Sequence, residues 1–250
     1  MENNPFSLVN KTILITGASS GIGKATAILC SEMGAKLVIT GRTESKLNQV
    51  FESLNGVGHQ KIVLDFENIN TISTLVSVVE QLDGIVQSAG ILETMPMAFT
   101  NAEKLSRIMK INFETPFNIT QQLLKSKKIN KGCSIVFVSS LSGISTVASG
   151  ISAYSASKGA LCSSVRVMAL ELASKKIRVN TVCPGMVKTE MNTENGNLTK
   201  EQLLEDEIRN YPLGYGSPEQ VASSIVFLLG HGSSWITGTN LVIDGGASIH

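Results

Sequence analysis

Tyr154 and Lys158 stand four residues apart in Tyr154-Ser155-Ala156-Ser157-Lys158. On a helix that spacing places both side chains on one face. A tyrosine is a poor acid–base group near neutrality, because its unperturbed pKa is about 10. A neighbouring ammonium favours the phenolate and draws that pKa towards the range where proton transfer is efficient. The pair therefore suits giving a proton to, or taking one from, an oxygen of a bound molecule. Taken singly, a Tyr and a Lys at this spacing are more often a solvated surface pair.

A second chemical signal lies near the N-terminus, in Thr16-Gly17-Ala18-Ser19-Ser20-Gly21-Ile22-Gly23. Glycines here let the backbone turn tightly and bring amide N–H groups close to a pyrophosphate. A helix starting at the loop adds partial positive charge. Three other readings compete for the same residues. Gly17-Ala18-Ser19-Ser20-Gly21 fits the G-x-S-x-G elbow of hydrolases, but that chemistry needs an acid and a histidine downstream. His59, His231 and His250 have no distinctive context. A P-loop would need Gly at position 18 and Ser or Thr at 25, where the chain has Ala18 and Ala25. The third alternative is a glycine-rich turn with no ligand.

The elements that must hold these residues alternate. Short apolar runs occur at Thr12–Thr16, Lys36–Thr40, Lys61–Leu64, Gly84–Gln87, Ser134–Ser139, Arg178–Cys183 and Asn240–Ile243. Most are rich in Ile and Val without alternation, as expected of strands buried on both faces of a parallel sheet. Helical segments are predicted between them at Gly23–Met33, Ser45–Leu54, Asn70–Leu82, Ala102–Lys125, Tyr154–Ser174 and Pro218–Leu229. Ser217 is a plausible N-cap for the last, with Pro218 at its first position. The pattern predicts a single domain of α/β class, a doubly wound parallel sheet with helices on both faces. Glu190–Tyr211 departs from it. The segment is polar, with an acidic patch at Glu205, Asp206 and Glu207, and reads as a surface insertion of the lid type.

The composition narrows the function classes. With 250 residues the chain can bury a large core without staples. Charged residues make up 16%, so much of the surface is neutral or covered by partner subunits. The formal net charge of +1 gives no sign of a nucleic-acid binder. The densest basic run, Lys125, Lys127, Lys128 and Lys131, reads as a solvated helix end. Cys30, Cys133, Cys162 and Cys183 form no C-x-x-C pair, and no metal site is expected. Free thiols among apolar neighbours suit a reducing compartment. Met1 to Asn10 lacks an apolar signal core, and no apolar stretch approaches a membrane span. A cytoplasmic location follows as the expectation.

Together the motifs resemble the short-chain dehydrogenase/reductase family over nearly the whole chain. Thr16-Gly17-x-x-x-Gly21-x-Gly23 is similar to its cofactor loop, and Tyr154-x-x-x-Lys158 to its active-site motif, with Ser140 at about the family's distance upstream. Asn112 falls where the family places an active-site asparagine, and Pro184-Gly185-Met186-Val187-Lys188-Thr189 resembles its P-G-x-V-x-T segment. Trp235-Ile236-Thr237-Gly238 through Asp244-Gly245-Gly246 resembles the ending common among bacterial 3-oxoacyl-acyl-carrier-protein reductases. Five such segments in the right order are far more specific than any one. One departure stands out. Gln87-Ser88-Ala89-Gly90 replaces the family's usual Asn-Asn-Ala-Gly, which puts the hydrogen bonding at Gln87 and Ser88 in question.

The resemblance implies an oxidoreductase that interconverts a ketone and a secondary alcohol, with Asn112, Ser140, Tyr154 and Lys158 as its catalytic residues. Ser140 would bond the substrate oxygen as charge develops on it. Lys158 would also hold the nicotinamide ribose, and Asn112, in a kinked helix, a water linked to Lys158. Cofactor contacts are implied at Gly17, Ser19, Ser20, Gly21, Ile22 and Gly23, at Arg42, Asp65 and Phe66, and at Ala89 and Gly90. Tyr154, Lys158, Pro184, Gly185, Val187 and Thr189 complete them, Thr189 orienting the carboxamide. In dinucleotide folds an acidic residue after the second strand binds the adenosine ribose and repels a 2′-phosphate. Here Gly41-Arg42 stands at that turn, and Arg42 offers a planar fork of donors. NADP is therefore the expected cofactor, with NADPH preferred over NADH.

Leu141, Ile144, Val147, Met186 and Met191 are expected to make an apolar substrate pocket. Met95, Met97, Met109 and Met168 read as core filler, and Trp235 as packing near the last strand. A homotetramer is expected, with Leu161, Val165, Met168 and Leu172 serving two faces of one helix. No nucleic-acid or membrane partner is expected. Two rivals remain: a dehydrogenase of a steroid, sugar or polyol, and a silent dinucleotide-binding sensor. The sensor has no need of Ser140, Tyr154 and Lys158 together.

Overall fold

The computed structural model describes residues 4–68, 71–146, 148–191 and 199–249. Seven strands form one parallel sheet in the order β3-β2-β1-β4-β5-β6-β7. They are β1 (Thr12–Thr16), β2 (Lys36–Gly41), β3 (Gln60–Val63), β4 (Leu82–Gln87), β5 (Ile129–Val138), β6 (Arg178–Pro184) and β7 (Asn240–Ile243). Every pairing is parallel; Ile13, for instance, faces Leu37 on one side and Gly84 on the other. Helices α1 (Gly21–Glu32), α2 (Glu44–Glu52), α3 (Thr71–Val78), α4 (Ala102–Met109), α5 (Thr115–Lys125), α6 (Ser152–Leu172), α7 (Lys200–Asn210) and α8 (Pro218–Leu229) accompany it.

The uninterrupted apolar strands have the physical meaning expected of them. Ile13 and Ile15 enter a core shared with Ala27 and Cys30 of α1, Leu47 of α2 and Ile225 of α8. Leu14, between them, points the other way into a core with Leu75 of α3, Ile119 of α5 and Leu161 of α6. Period-two alternation thus serves two apolar faces at once. Each fully buried Leu, Ile or Phe contributes roughly 1.5–3 kcal/mol relative to exposure. The chain reverses its winding between β1 and β4, and the loops leaving those two strands part there. That is where an open α/β sheet has its crevice.

Several boundaries differ from the sequence reading. The expected helix 70–82 ends at Val78 and Leu82 instead opens β4, its N–H donating to the Lys128 carbonyl at 2.8 Å. The apolar period runs across the junction, so periodicity alone does not show the change. β5 starts at Ile129, ahead of the expected Ser134. Its polar first half carries Gly132 at φ +84°, beside a register shift between Leu82 and Gly84. The helix expected at 102–125 contains a π turn at Lys110–Glu114. Glu190–Tyr211, expected to be an insertion, contains α7. Thr199 and Gln202 form a reciprocal capping box at its start. Residues 192–198 of that segment lie outside the described residues.

Some packing expectations are corrected. Met97 is mostly exposed and does not fill the core, and Trp235, expected to pack near the last strand, is 99% exposed. Leu161, Val165 and Leu172 are buried in the chain's own core, and the outward face of α6 carries Val167 and Leu170 instead. All four cysteines are buried free thiols. Among the described residues no helix is long and apolar enough to cross a membrane. None of their His, Cys, Asp and Glu side chains gather in threes as a metal cluster would.

Candidate functional site

A cleft of about 340 Å³ lies along the C-terminal ends of the strands. Gly17, Ser19, Ser20, Gly21, Ile22 and Gly23 form its centre, after β1. Arg42, Asp65 and Phe66 lie at one end; Ser140, Tyr154 and Lys158 lie at the other. Ala89 and Gly90 after β4 form one wall, and Pro184, Gly185, Val187 and Thr189 after β6 another. Every residue expected to touch a cofactor lines this one cleft.

The glycine loop is held tightly. A Cβ on Gly17, which has φ +67°, would come within 2.7 Å of the Ala89 backbone. A Cβ on Gly23 would sit 2.1 Å from the Gly17 carbonyl oxygen. Both positions therefore require glycine. Ser20 caps α1 through its backbone alone, with no side-chain capping bond, and the first turn holds no acidic residue. The first amides of a helix have no intrahelical acceptor, and they carry partial positive charge. This donor set fits an anionic dinucleotide, and the steric demands of Gly17 and Gly23 bring the loop, α1 and the β4 end together around it.

Gln87 and Ser88 replace the usual asparagines with bonds of their own. Thr16 Oγ1 donates to Gln87 Oε1 at 3.1 Å, and Gln87 Nε2 reaches the Pro116 carbonyl over a long 3.5 Å. The Ser88 and Ala89 amides both donate back to Thr16 Oγ1. β1, β4 and α5 are thus tied at the point where the crevice opens.

Asn112 is fully buried within the π turn, with Ile111 and not Asn112 on the cleft wall. Its side-chain amide grips the backbone of Ile91. Oδ1 accepts from the Ile91 N–H at 2.8 Å and Nδ2 donates to the Ile91 carbonyl at 2.9 Å and to Ser157 Oγ at 3.1 Å. Pro116 accounts for the π turn: it has no N–H to give to the Asn112 carbonyl four residues back, so the regular ladder breaks there. A Cβ on Gly90 would fall 3.2 Å from Asn112 Oδ1 and 3.4 Å from Lys158 Nζ. Glycine keeps that space open between them.

Tyr154 and Lys158 are adjacent turns of α6, as the spacing predicts. Lys158 Nζ donates to the Val138 carbonyl at 2.8 Å and lies 5.7 Å from the centre of the Tyr154 ring. Burial draws its pKa down to about 8, opposed by the nearby Cys162 and Cys183 sulfurs. Burial raises the Tyr154 pKa above its ordinary value, and the neighbouring Ser140 hydroxyl opposes that rise. This corrects the expectation of a phenol made acidic by Lys158. The ammonium is directed to a backbone carbonyl, and desolvation of the phenolate prevails. Ser139, one residue before Ser140, donates to the Lys158 carbonyl at 2.9 Å and so fastens the active turn of α6 to the end of β5.

Of the expected substrate pocket, Met191 lines the cleft and Leu141 is buried in the short turn after Ser140. Val147 lies outside the described residues. Met186 is off the cleft wall, where its carbonyl accepts from the Gly216 amide. The sequence reading missed Thr43, Lys46, Glu67, Ser139 and Glu190, all of which line the cleft. Lys46 lies four residues after Arg42, at the start of α2. The available signal was a cation in the first turn of the helix that follows Gly41-Arg42.

Comparison with known proteins agrees with this architecture. A family model described as enoyl-(acyl carrier protein) reductase matches residues 17–248. A 3-oxoacyl-[acyl-carrier-protein] reductase from Rickettsia prowazekii is 33% identical over 96% of this chain and 98% of its own. A short-chain type dehydrogenase/reductase from Mycobacterium marinum superposes with a TM-score of 0.89 at 31% identity, covering 98% of each chain. A solved Beutenbergia cavernae chain holding NADP at low occupancy is 25% identical, with a TM-score of 0.87 over 98% of this chain and 99% of that one.

Proposed function

The chain belongs to the short-chain dehydrogenase/reductase family and is an NAD(P)-dependent oxidoreductase; from that premise we propose that it reduces a ketone to a secondary alcohol with NADPH. The observation that carries the proposal is the Ser140–Tyr154 hydroxyl pair beside Lys158, at one end of a cleft whose other end holds Arg42. When bound, the reduced nicotinamide supplies the hydride. Tyr154 gives its hydroxyl proton to the substrate oxygen. Its raised pKa keeps that proton in place at neutral pH, which suits the reductive direction. Ser140 donates to the same oxygen and stabilises its developing charge. Lys158, charged below about pH 8 and 5.7 Å from the ring centre, offsets part of the desolvation cost of the tyrosinate left behind until solvent returns the proton. Asn112 holds the π turn and the Ile91 backbone in place beside them. The retained Ser140, Tyr154 and Lys158 favour this reading over a silent sensor. The Rickettsia relative favours a 3-oxoacyl thioester over a steroid, sugar or polyol.

Arg42 carries the cofactor preference. It stands directly after β2 with no acidic residue at the turn, 3.9 Å from Glu67. A charge-assisted contact to a 2′-phosphate contributes about 1–3 kcal/mol. With a 3-oxoacyl thioester as substrate, kcat/KM is expected to favour NADPH over NADH, and Arg42→Ala to weaken that preference. A wild-type enzyme that favours NADH, or an Arg42→Ala variant with unchanged preference, would sink the assignment of Arg42. Absence of turnover across ketones and alcohols, with cofactor bound, would favour the sensor.

The assembly proposed is a homotetramer in the cytoplasm, with residues 190–211 acting as a lid. Val167 and Leu170 on α6, Leu105 on α4, Phe117 on α5 and Trp235 before β7 are exposed apolar groups that subunit contacts would cover. Four free thiols support a reducing compartment. Light scattering at micromolar concentration is expected to give four times the chain mass, and a stable monomer would contradict it.

A further inference from the structure

We infer that Lys46 is a second residue deciding between the two cofactors, and that Glu190 holds its ammonium across the cleft until a ribose 2′-phosphate takes it over. The inference rests on the NADPH preference proposed above and adds the means by which the site tells the cofactors apart.

Lys46 belongs to the first turns of α2, and Glu190 follows Thr189 on the opposite wall. Their side chains meet at 2.5 Å, joining positions 144 residues apart in the chain. Each is about half exposed, so the pair is in contact with water and exchangeable. Both line the same cleft as Arg42 and Thr43. Arg42 leaves β2 just before the N-cap Thr43, and Lys46 lies in the first turn of α2, so both side chains reach the cleft from the junction of β2 and α2. Arg42 is less firmly occupied: it stands 3.9 Å from Glu67, while Arg107 holds that carboxylate at 2.6 Å. Two cations therefore flank the end of β2. One is loosely neighboured, and the other is paired with a carboxylate from across the cleft.

A monoester phosphate carries close to two negative charges at pH 7 and three acceptor oxygens. Between Arg42 and Lys46 it competes well against the single charge of Glu190. An unphosphorylated ribose offers no such competitor, and Lys46 then stays with Glu190. The carboxylate thus acts twice against the phosphate, by occupying Lys46 and by repulsion. Removing its charge should favour the phosphorylated cofactor alone.

The test uses calorimetric titration of the full chain with adenosine 2′,5′-bisphosphate and with adenosine 5′-monophosphate, which differ only in the 2′-phosphate. Lys46→Met is expected to weaken the bisphosphate about five- to tenfold and to leave the monophosphate within about twofold, as for a half-exposed charged contact. Glu190→Gln is expected to tighten the bisphosphate about threefold, again without effect on the monophosphate. Equal changes for both nucleotides, or an unchanged bisphosphate affinity in either variant, would overturn the inference. Arg42→Ala separates the two levels. If it weakens the bisphosphate while the Lys46 and Glu190 variants are silent, the NADPH preference stands and this inference falls. If wild type binds both nucleotides alike and Arg42→Ala changes nothing, both fall.

Discussion

Tyr154→Phe is expected to lower kcat/KM by about 10²–10⁴-fold, the usual contribution of a positioned general acid. Cofactor Kd should stay within about twofold. The substitution deletes one oxygen and leaves the ring beneath Lys158 Nζ, 5.7 Å from its centre. Ser140 still accepts from the Ser142 amide at 3.2 Å, so the loop is not released. The raised pKa sharpens the expectation. A phenol whose pKa desolvation raises stays protonated through neutrality, so the wild-type reductive rate should be level there. It should fall above about pH 8 as Lys158 loses its charge. Steady-state rates across pH, with cofactor titrations on both proteins, check this. A Tyr154→Phe enzyme at wild-type rate would remove Tyr154 from the proton-donor role.

Lys158→Met should abolish most turnover while stabilising the fold at pH 7. The ammonium is buried and its pKa falls from 10.5 to about 8, chiefly through desolvation. Below about pH 8 both folded and unfolded chains carry the proton, and the folded chain bears the full cost of burying the charge. Between about 8 and 10.5 the unfolded chain binds more protons, so stability rises with pH across that window. The displacement corresponds to roughly 3 kcal/mol. Against it stands the lost bond to the Val138 carbonyl, about 1 kcal/mol or more for a buried acceptor left without its donor. The variant should therefore be about 1–2 kcal/mol more stable than wild type at pH 7, with the difference vanishing or reversing near pH 10.5. Urea denaturation of both proteins at the two pH values reads it directly. A variant less stable than wild type at pH 7 would show that Lys158 is a structural support and not a charge held at cost for function.

Much of the fold was legible from residue patterns. Seven apolar runs became seven parallel strands because burial on both faces demands apolar residues without alternation, as Ile13, Leu14 and Ile15 illustrate. Gly17, Gly23 and the four-residue step from Tyr154 to Lys158 are local geometry, and local geometry is what spacing encodes. The polar helix α7 was missed because its amphipathic signal is weak, although Thr199 and Gln202 spell a capping box. The break at Leu82 was missed because apolar residues at helical spacing also suit a buried strand.

What the tertiary structure alone decided is electrostatic and relational. The Tyr154–Lys158 spacing predicts a phenol made more acidic, yet desolvation outweighs it, since the Val138 carbonyl draws the ammonium aside. No run of residues announces that Lys46 meets Glu190, because chain closure over 144 residues is set by how the sheet brings α2 and the β6 loop to one cleft. Gln87 takes over a bracing role through Thr16 and Pro116, neither of which its neighbours in sequence identify. By itself the sequence determined which residues could do chemistry and which elements would carry them. Folding decided their charge states and partners, because burial and long-range contact exist only once the chain is packed.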